Sequence, residues 1–137
     1  IWVKYHLDTS TVIDILRFRQ DSLLQFELTK IKDISISAIV AQELWAGTGI
    51  ENQGPRARAR LETILSVLTI LPFDQYAAEE AGLLEAELKR KGSQIGLFDP
   101  LIAAHALVED ATLVTKNTKD FKRVPGLKVI DWSKTPN

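Results

Sequence analysis

The chain has 137 residues, no cysteine, 45% hydrophobic and 26% charged residues, and a formal net charge of −1. That length predicts one domain over residues 1–137, able to bury roughly two-thirds of its unfolded surface. Disulfides and thiolate zinc sites are excluded, bulk electrostatic binding of nucleic acid is excluded by the balanced charge, and no apolar run reaches the ~18 residues of a membrane helix.

Residues 3–7 read as a strand ending in Asp8, not as a signal peptide, and the lack of cysteine suits a reducing cytoplasm. A helix is expected from about Ser10, with Val12, Ile13 and Leu16 on one face. Asp14, three residues before Arg17, predicts a local surface ion pair. Residues 34–37 alternate apolar and polar as a second strand, and residues 38–47 read as a helix closed by Gly47. Gln53-Gly54-Pro55 breaks the chain, and residues 47–60 are expected to form a specificity loop ahead of a helical pattern over 56–67. Residues 68–71 form a short strand ended by Pro72. Asp74 is a natural N-cap for a helix over 75–91 with Gly92 at its C-terminal end. Pro100 opens a helix running to Val108. Strands over 112–115 and 127–130 close the chain. Strands alternating with helices predict an α/β layer fold with a central, mostly parallel sheet flanked by helices.

Three acids interrupt apolar runs: Asp8 in VKYHLDTSTVI, Glu43 in SAIVAQELWAG and Asp99 in IGLFDPLIAAHAL. A buried carboxylate without a partner costs several kcal/mol or is neutralised. Asp8 and Asp99 each have a local explanation as helix caps. Glu43 has none: at i−4, i−3, i+3 and i+4 it meets Ile39, Val40, Ala46 and Gly47, an apolar stripe. Three such acids point to a shared counter-ion, and carboxylate oxygens favour a hard cation such as Mg²⁺ or Mn²⁺. In an open parallel sheet, ligands sit beyond the carboxyl ends of the strands. Asp8 and Asn117 follow strands there, so Asp8, Glu43, Asp99 and Asn117 are able to converge on one edge. Asn117 is either a neutral oxygen ligand or a turn residue, and Asp120 reads as a solvent-facing residue of a first helical turn. Thr9, Ser10 and Thr115 are placed to hydrogen-bond the carboxylates. His105 reads as a packed core histidine, and Trp45 as core or interface. Six Lys/Arg between residues 115 and 137, and Arg56, Arg58 and Arg60, are either solvated surface or phosphate contacts flanking an acidic pocket.

With these residues laid out, nearly the whole chain resembles the PIN-domain nucleases, and most closely their VapC-type toxins. KYHLDTSTVIDILR resembles the family's opening, SISAIVAQELWAG its glutamate helix, IGLFDPLIAAHAL its third acidic motif, and LVTKNTKDFKRVPGLKVIDW its closing strand–loop–strand. The resemblance implies a three-layer PIN-like domain. It implies that Asp8, Glu43 and Asp99 form an acidic metal site, with Asn117 departing from the aspartate common at the fourth position and Asp120 as a substitute. It implies a Mg²⁺- or Mn²⁺-dependent endoribonuclease, the toxin of a toxin–antitoxin pair, cleaving RNA with metal-activated water. A cognate antitoxin and a homodimer are implied as partners. The alternative is a degenerate domain acting only through partner binding. An aspartyl phosphotransferase would need a second aspartate where Ser10 stands, and a receiver domain would need adjacent acids at the end of the first strand.

Overall fold

The computed structural model of the chain describes residues 4–50 and 54–134. Its elements run β1 (Tyr5–Leu7), α1 (Thr9–Leu16), α2 (Gln20–Leu28), a 3-10 turn (Ile31–Asp33), β2 (Ile34–Ser37), α3 (Ala38–Ile50), α4 (Gly54–Val67), β3 (Thr69–Leu71), α5 (Gln75–Arg90), α6 (Asp99–Val108), β4 (Thr112–Val114), α7 (Thr118–Phe121) and β5 (Val129–Ile130). The strands form one sheet in the order β3-β2-β1-β4-β5, with every pairing parallel. Helices flank this sheet in a three-layer α/β domain, as the alternation of strands and helices predicts.

The order places β1 in the middle. Successive strands step outward to β3 on one side and to β5 on the other, so the direction of winding reverses between β1 and β4. Such a reversal leaves a crevice at the carboxyl ends of the two strands. Leu7 pairs with Val114 at that end. The central strands bury Leu7, Ile34, Ile36, Leu113 and Val114, with His6 and Ser37 as buried polar residues among them. Ala103, Ala104 and Ala106 on α6 are fully buried. Their small side chains allow α6 to pack closely, which brings its first residue, Asp99, to the same end of the sheet.

Several expectations need correction. Val3 and Gln53 lie outside the described residues. The helix expected to stop at Gly47 continues to Ile50, because neither Gly47 nor Gly49 adopts a positive φ. The expected loop over residues 47–60 is therefore largely helix. Gly54 does take a positive φ of 81°, at the start of α4. Gly92, at φ 66°, ends α5 as predicted, with Ser93 donating to the Leu88 carbonyl. α2 was not predicted. No described helix is long and apolar enough to cross a membrane.

Candidate active site

Asp8 directly follows β1. Its backbone N–H donates to the Val114 carbonyl at 2.9 Å, extending the β1–β4 ladder by one residue. Its side chain caps α1 by accepting from the Thr9 N–H at 2.8 Å. The second carboxylate oxygen accepts from Thr115 Oγ1 at 2.6 Å and Ser10 Oγ at 3.3 Å. The capping explanation of Asp8 thus holds, yet it occupies only one oxygen. Asp8 is 6% exposed, and burial pushes its carboxyl above the usual range against the pull of the Thr115, Thr9 and Ser10 hydrogen bonds.

Glu43 reaches this cluster from α3. Thr9 Oγ1 donates to its Oε1 at 2.9 Å, so one threonine touches both carboxylates, by its N–H and its hydroxyl. Burial raises the Glu43 pKa, and the negative charges of Asp8 and Asp99 raise it further. Glu43 also lines a groove of about 410 Å³ whose walls include Leu16, Leu44 and Leu61, with Arg17 and Arg60 on the lining.

Asp99 does not cap its helix. Phe98 is the N-cap, Asp99 is the first helical residue, and its Oδ2 accepts from the Gly96 N–H at 3.1 Å. The Asp99 N–H returns a bond to the Gly96 carbonyl at 3.1 Å. Burial raises its pKa most, followed by the charge of Asp8, with Asp120 acting in the same direction. The three carboxylates therefore share one electrostatic neighbourhood. Among the described residues none of them forms a salt bridge.

The β4–α7 corner supplies the remaining candidates. Thr115 is fully buried, and its hydroxyl both donates to Asp8 and accepts from the Asn117 N–H at 3.0 Å. Asn117 sits at the N-cap position of α7 without capping it; its Nδ2 donates to Asp120 Oδ2 at 3.1 Å. Asp120 is only half-exposed and also lies 4.0 Å from Arg123, so it does not simply face solvent.

Asp14 is not a surface partner of Arg17. It is 5% exposed, pairs with Lys116 Nζ at 3.1 Å and accepts from Ser22 Oγ at 3.2 Å. Lys116, itself exposed, thus braces α1 against the Asn117 corner. Arg123 donates to the Gln94 carbonyl at 3.2 Å. His105 is a core residue, its Nδ1 2.7 Å from Ser37 Oγ. Trp45 lies at the α3–α4 surface with the Arg58 guanidinium 5.7 Å from its ring centroid.

The donor set offered by Asp8, Glu43 and Asp99 is all oxygen and anionic, the chemistry of a hard divalent cation. Among the described residues, no three His, Cys, Asp or Glu side chains are gathered tightly enough to hold a metal ion as they stand. Like charges repel: Asp8 raises the pKa of both Glu43 and Asp99, and Asp99 raises that of Glu43 further.

The profile of the PIN domain matches residues 5–127. Over 132 residues the chain is 39% identical to Ribonuclease VapC2 of Rickettsia felis, covering 95% of this chain and 98% of that protein. It is 36% identical to the tRNA(fMet)-specific endonuclease VapC of Shigella flexneri, over 96% of this chain and 99% of that protein. The crystal structure of VapBC2 from Rickettsia felis bound to a DNA fragment from their promoter contains a chain that superposes with a TM-score of 0.87 at 37% identity, covering 95% of this chain and 99% of that one.

Proposed function

This chain belongs to the PIN domain family, and we propose that it is a divalent-metal-dependent endoribonuclease acting as the toxin of a toxin–antitoxin pair. The observation that carries this reading is the electrostatic coupling of Asp8, Glu43 and Asp99 without a salt-bridged cation among the described residues. Asp8 and Asp99 would hold Mg²⁺ or Mn²⁺, Glu43 would do so directly or through water, and Asn117 or Asp120 would supply the fourth position. A divalent cation held by these residues would supply charge neutralisation at a scissile phosphate and a more acidic bound water.

The protein's own groups keep that site in order. Thr9, Ser10 and Thr115 fix the lone pairs of Asp8 and Glu43. Without a cation the three acids would repel an RNA phosphate, so substrate binding should depend on metal. Lysines after Asn117 are available to flanking phosphates. The relatives' names and the complexes formed by structural neighbours support RNA as substrate and an antitoxin as partner, with the apolar groove beside Glu43 as a surface for the antitoxin to cover. A homodimer completes the proposal.

An RNA-cleavage assay on antitoxin-free protein with Mg²⁺, Mn²⁺ or EDTA tests the reading. Cleavage with metal and none with EDTA is expected. A second reading, a degenerate domain that only binds its partner, is favoured by Asn117 being engaged with Asp120 rather than offering a carboxylate. Folded protein that binds neither metal would establish that second reading.

A further inference from the structure

Asp99 is held by a reciprocal pair of bonds with Gly96: the Gly96 N–H to Oδ2, and the Asp99 N–H to the Gly96 carbonyl, both at 3.1 Å. A Cβ at position 96 would lie 2.8 Å from Asp99 Oδ2, 3.2 Å from Cγ and 3.6 Å from Oδ1. At every other glycine a Cβ would meet nothing within 4 Å. Gly96 is exposed, so core packing does not call for its small size. Its φ is not positive either, so backbone strain does not. The missing side chain leaves the space that the Asp99 carboxylate occupies.

We propose that Gly96 is a positioning residue for Asp99, its lack of a side chain fixing where that carboxylate is presented to the cation. This rests on the reading of Asp99 as a metal ligand. A methyl group at 96 clears the overlap by turning the carboxylate tip, which is a small motion for folding and a large one for a coordinating oxygen. Glycine is therefore required at 96 for ligation and not for stability. Outer partners that orient metal ligands are worth 10–100-fold in affinity or activity.

The test uses the full chain. Gly96→Ala and the control Gly82→Ala, whose Cβ meets nothing within 4 Å, are titrated with Mn²⁺ by electron paramagnetic resonance, and metal-free Gly96→Ala is crystallised. The expected result is Mn²⁺ affinity reduced about tenfold or more in Gly96→Ala, unchanged in Gly82→Ala, with the melting temperature preserved and the Asp99 carboxylate displaced. Wild-type affinity in Gly96→Ala, or an undisplaced carboxylate, overturns the proposal. If Gly96→Ala does not fold, Gly96→Ala/Asp99→Ala should, because the obstructing atoms are gone; failure of that double variant also overturns it. Wild type that binds no Mn²⁺ refutes the metal reading instead, and a displaced Asp99 in the variant would then still uphold the steric relationship.

Discussion

Thr115 Oγ1 donates a 2.6 Å hydrogen bond to Oδ2 of Asp8, joining residues 107 positions apart across the β1–β4 junction. Thr115→Val keeps the shape and removes the hydroxyl. It deprives Asp8 of its shortest hydrogen bond and the Asn117 N–H of its acceptor. A charge-assisted hydrogen bond is worth about 2 kcal/mol, so urea denaturation should report a loss of that size. RNA cleavage should fall by about 10–100-fold. Thr115→Ser retains both bonds and should restore activity.

Asp99→Asn separates catalysis from folding. The amide keeps the carbonyl oxygen that accepts from Gly96 but carries no charge for Asp8 and Asp120 to repel. Cleavage should disappear, while the melting temperature in EDTA at pH 7 should equal or exceed that of wild type. A variant that cleaves at the wild-type rate removes Asp99 from the site.

Metal binding should release protons. Burial raises the pKa values of Asp8, Glu43 and Asp99, and neighbouring carboxylate charges add to the rise at Glu43 and Asp99, so as pH falls the metal-free site takes up protons that a cation must displace. Isothermal titration with Mg²⁺ in buffers of different ionisation enthalpy should show greater proton release, and weaker apparent affinity, near pH 5.5 than near pH 7.5. In EDTA these groups bind more protons folded than unfolded, so their own contribution to stability grows as pH falls through the raised pKa values. Proton release that does not change between the two pH values would contradict the shared site.

His6 works with the opposite sign. It is 3% exposed, its Nε2 has no hydrogen-bond partner among the described residues, and burial, with His105 and Lys4 adding, lowers its pKa from 6.5 to about 4. The unfolded chain binds the proton first, so stability is full above pH 6.5 and is lost as pH falls towards 4, by about 3 kcal/mol at ~1.36 kcal/mol per pKa unit. Denaturation of His6→Leu, compared with wild type across this range, should lack that component. Parallel curves would show that His6 is not held neutral.

The strand pattern and the three acids were legible because each is a local signal: a short apolar run, or a charge where the helical stripe is apolar. α2 was not, because Leu23, Leu24, Phe26 and Leu28 do not share one face, and Leu24 and Leu28 are exposed. Asp14 was misread because its nearest cation in sequence is Arg17, whereas its actual partner, Lys116, is 102 positions away. Spacing along a helix cannot report a contact made through the sheet order. Asp99 looked like a cap because Asp-Pro often is one, but the bend from Gly96 turned its carboxylate backward. A glycine three residues ahead of an acid in an apolar run was the available clue.

The junction of β1 with β4 also sets when the molecule becomes capable of anything. Asp8 is synthesised early, yet the carbonyl that receives its N–H and the hydroxyl that orients its side chain belong to Val114 and Thr115. At translation speeds of about 5–20 residues per second, roughly 5–20 s pass between the two ends of that contact. A nascent or truncated chain that stops short of β4 carries Asp8, Glu43 and even Asp99 without the frame that aligns the first of them. Premature release from the ribosome should therefore yield harmless fragments.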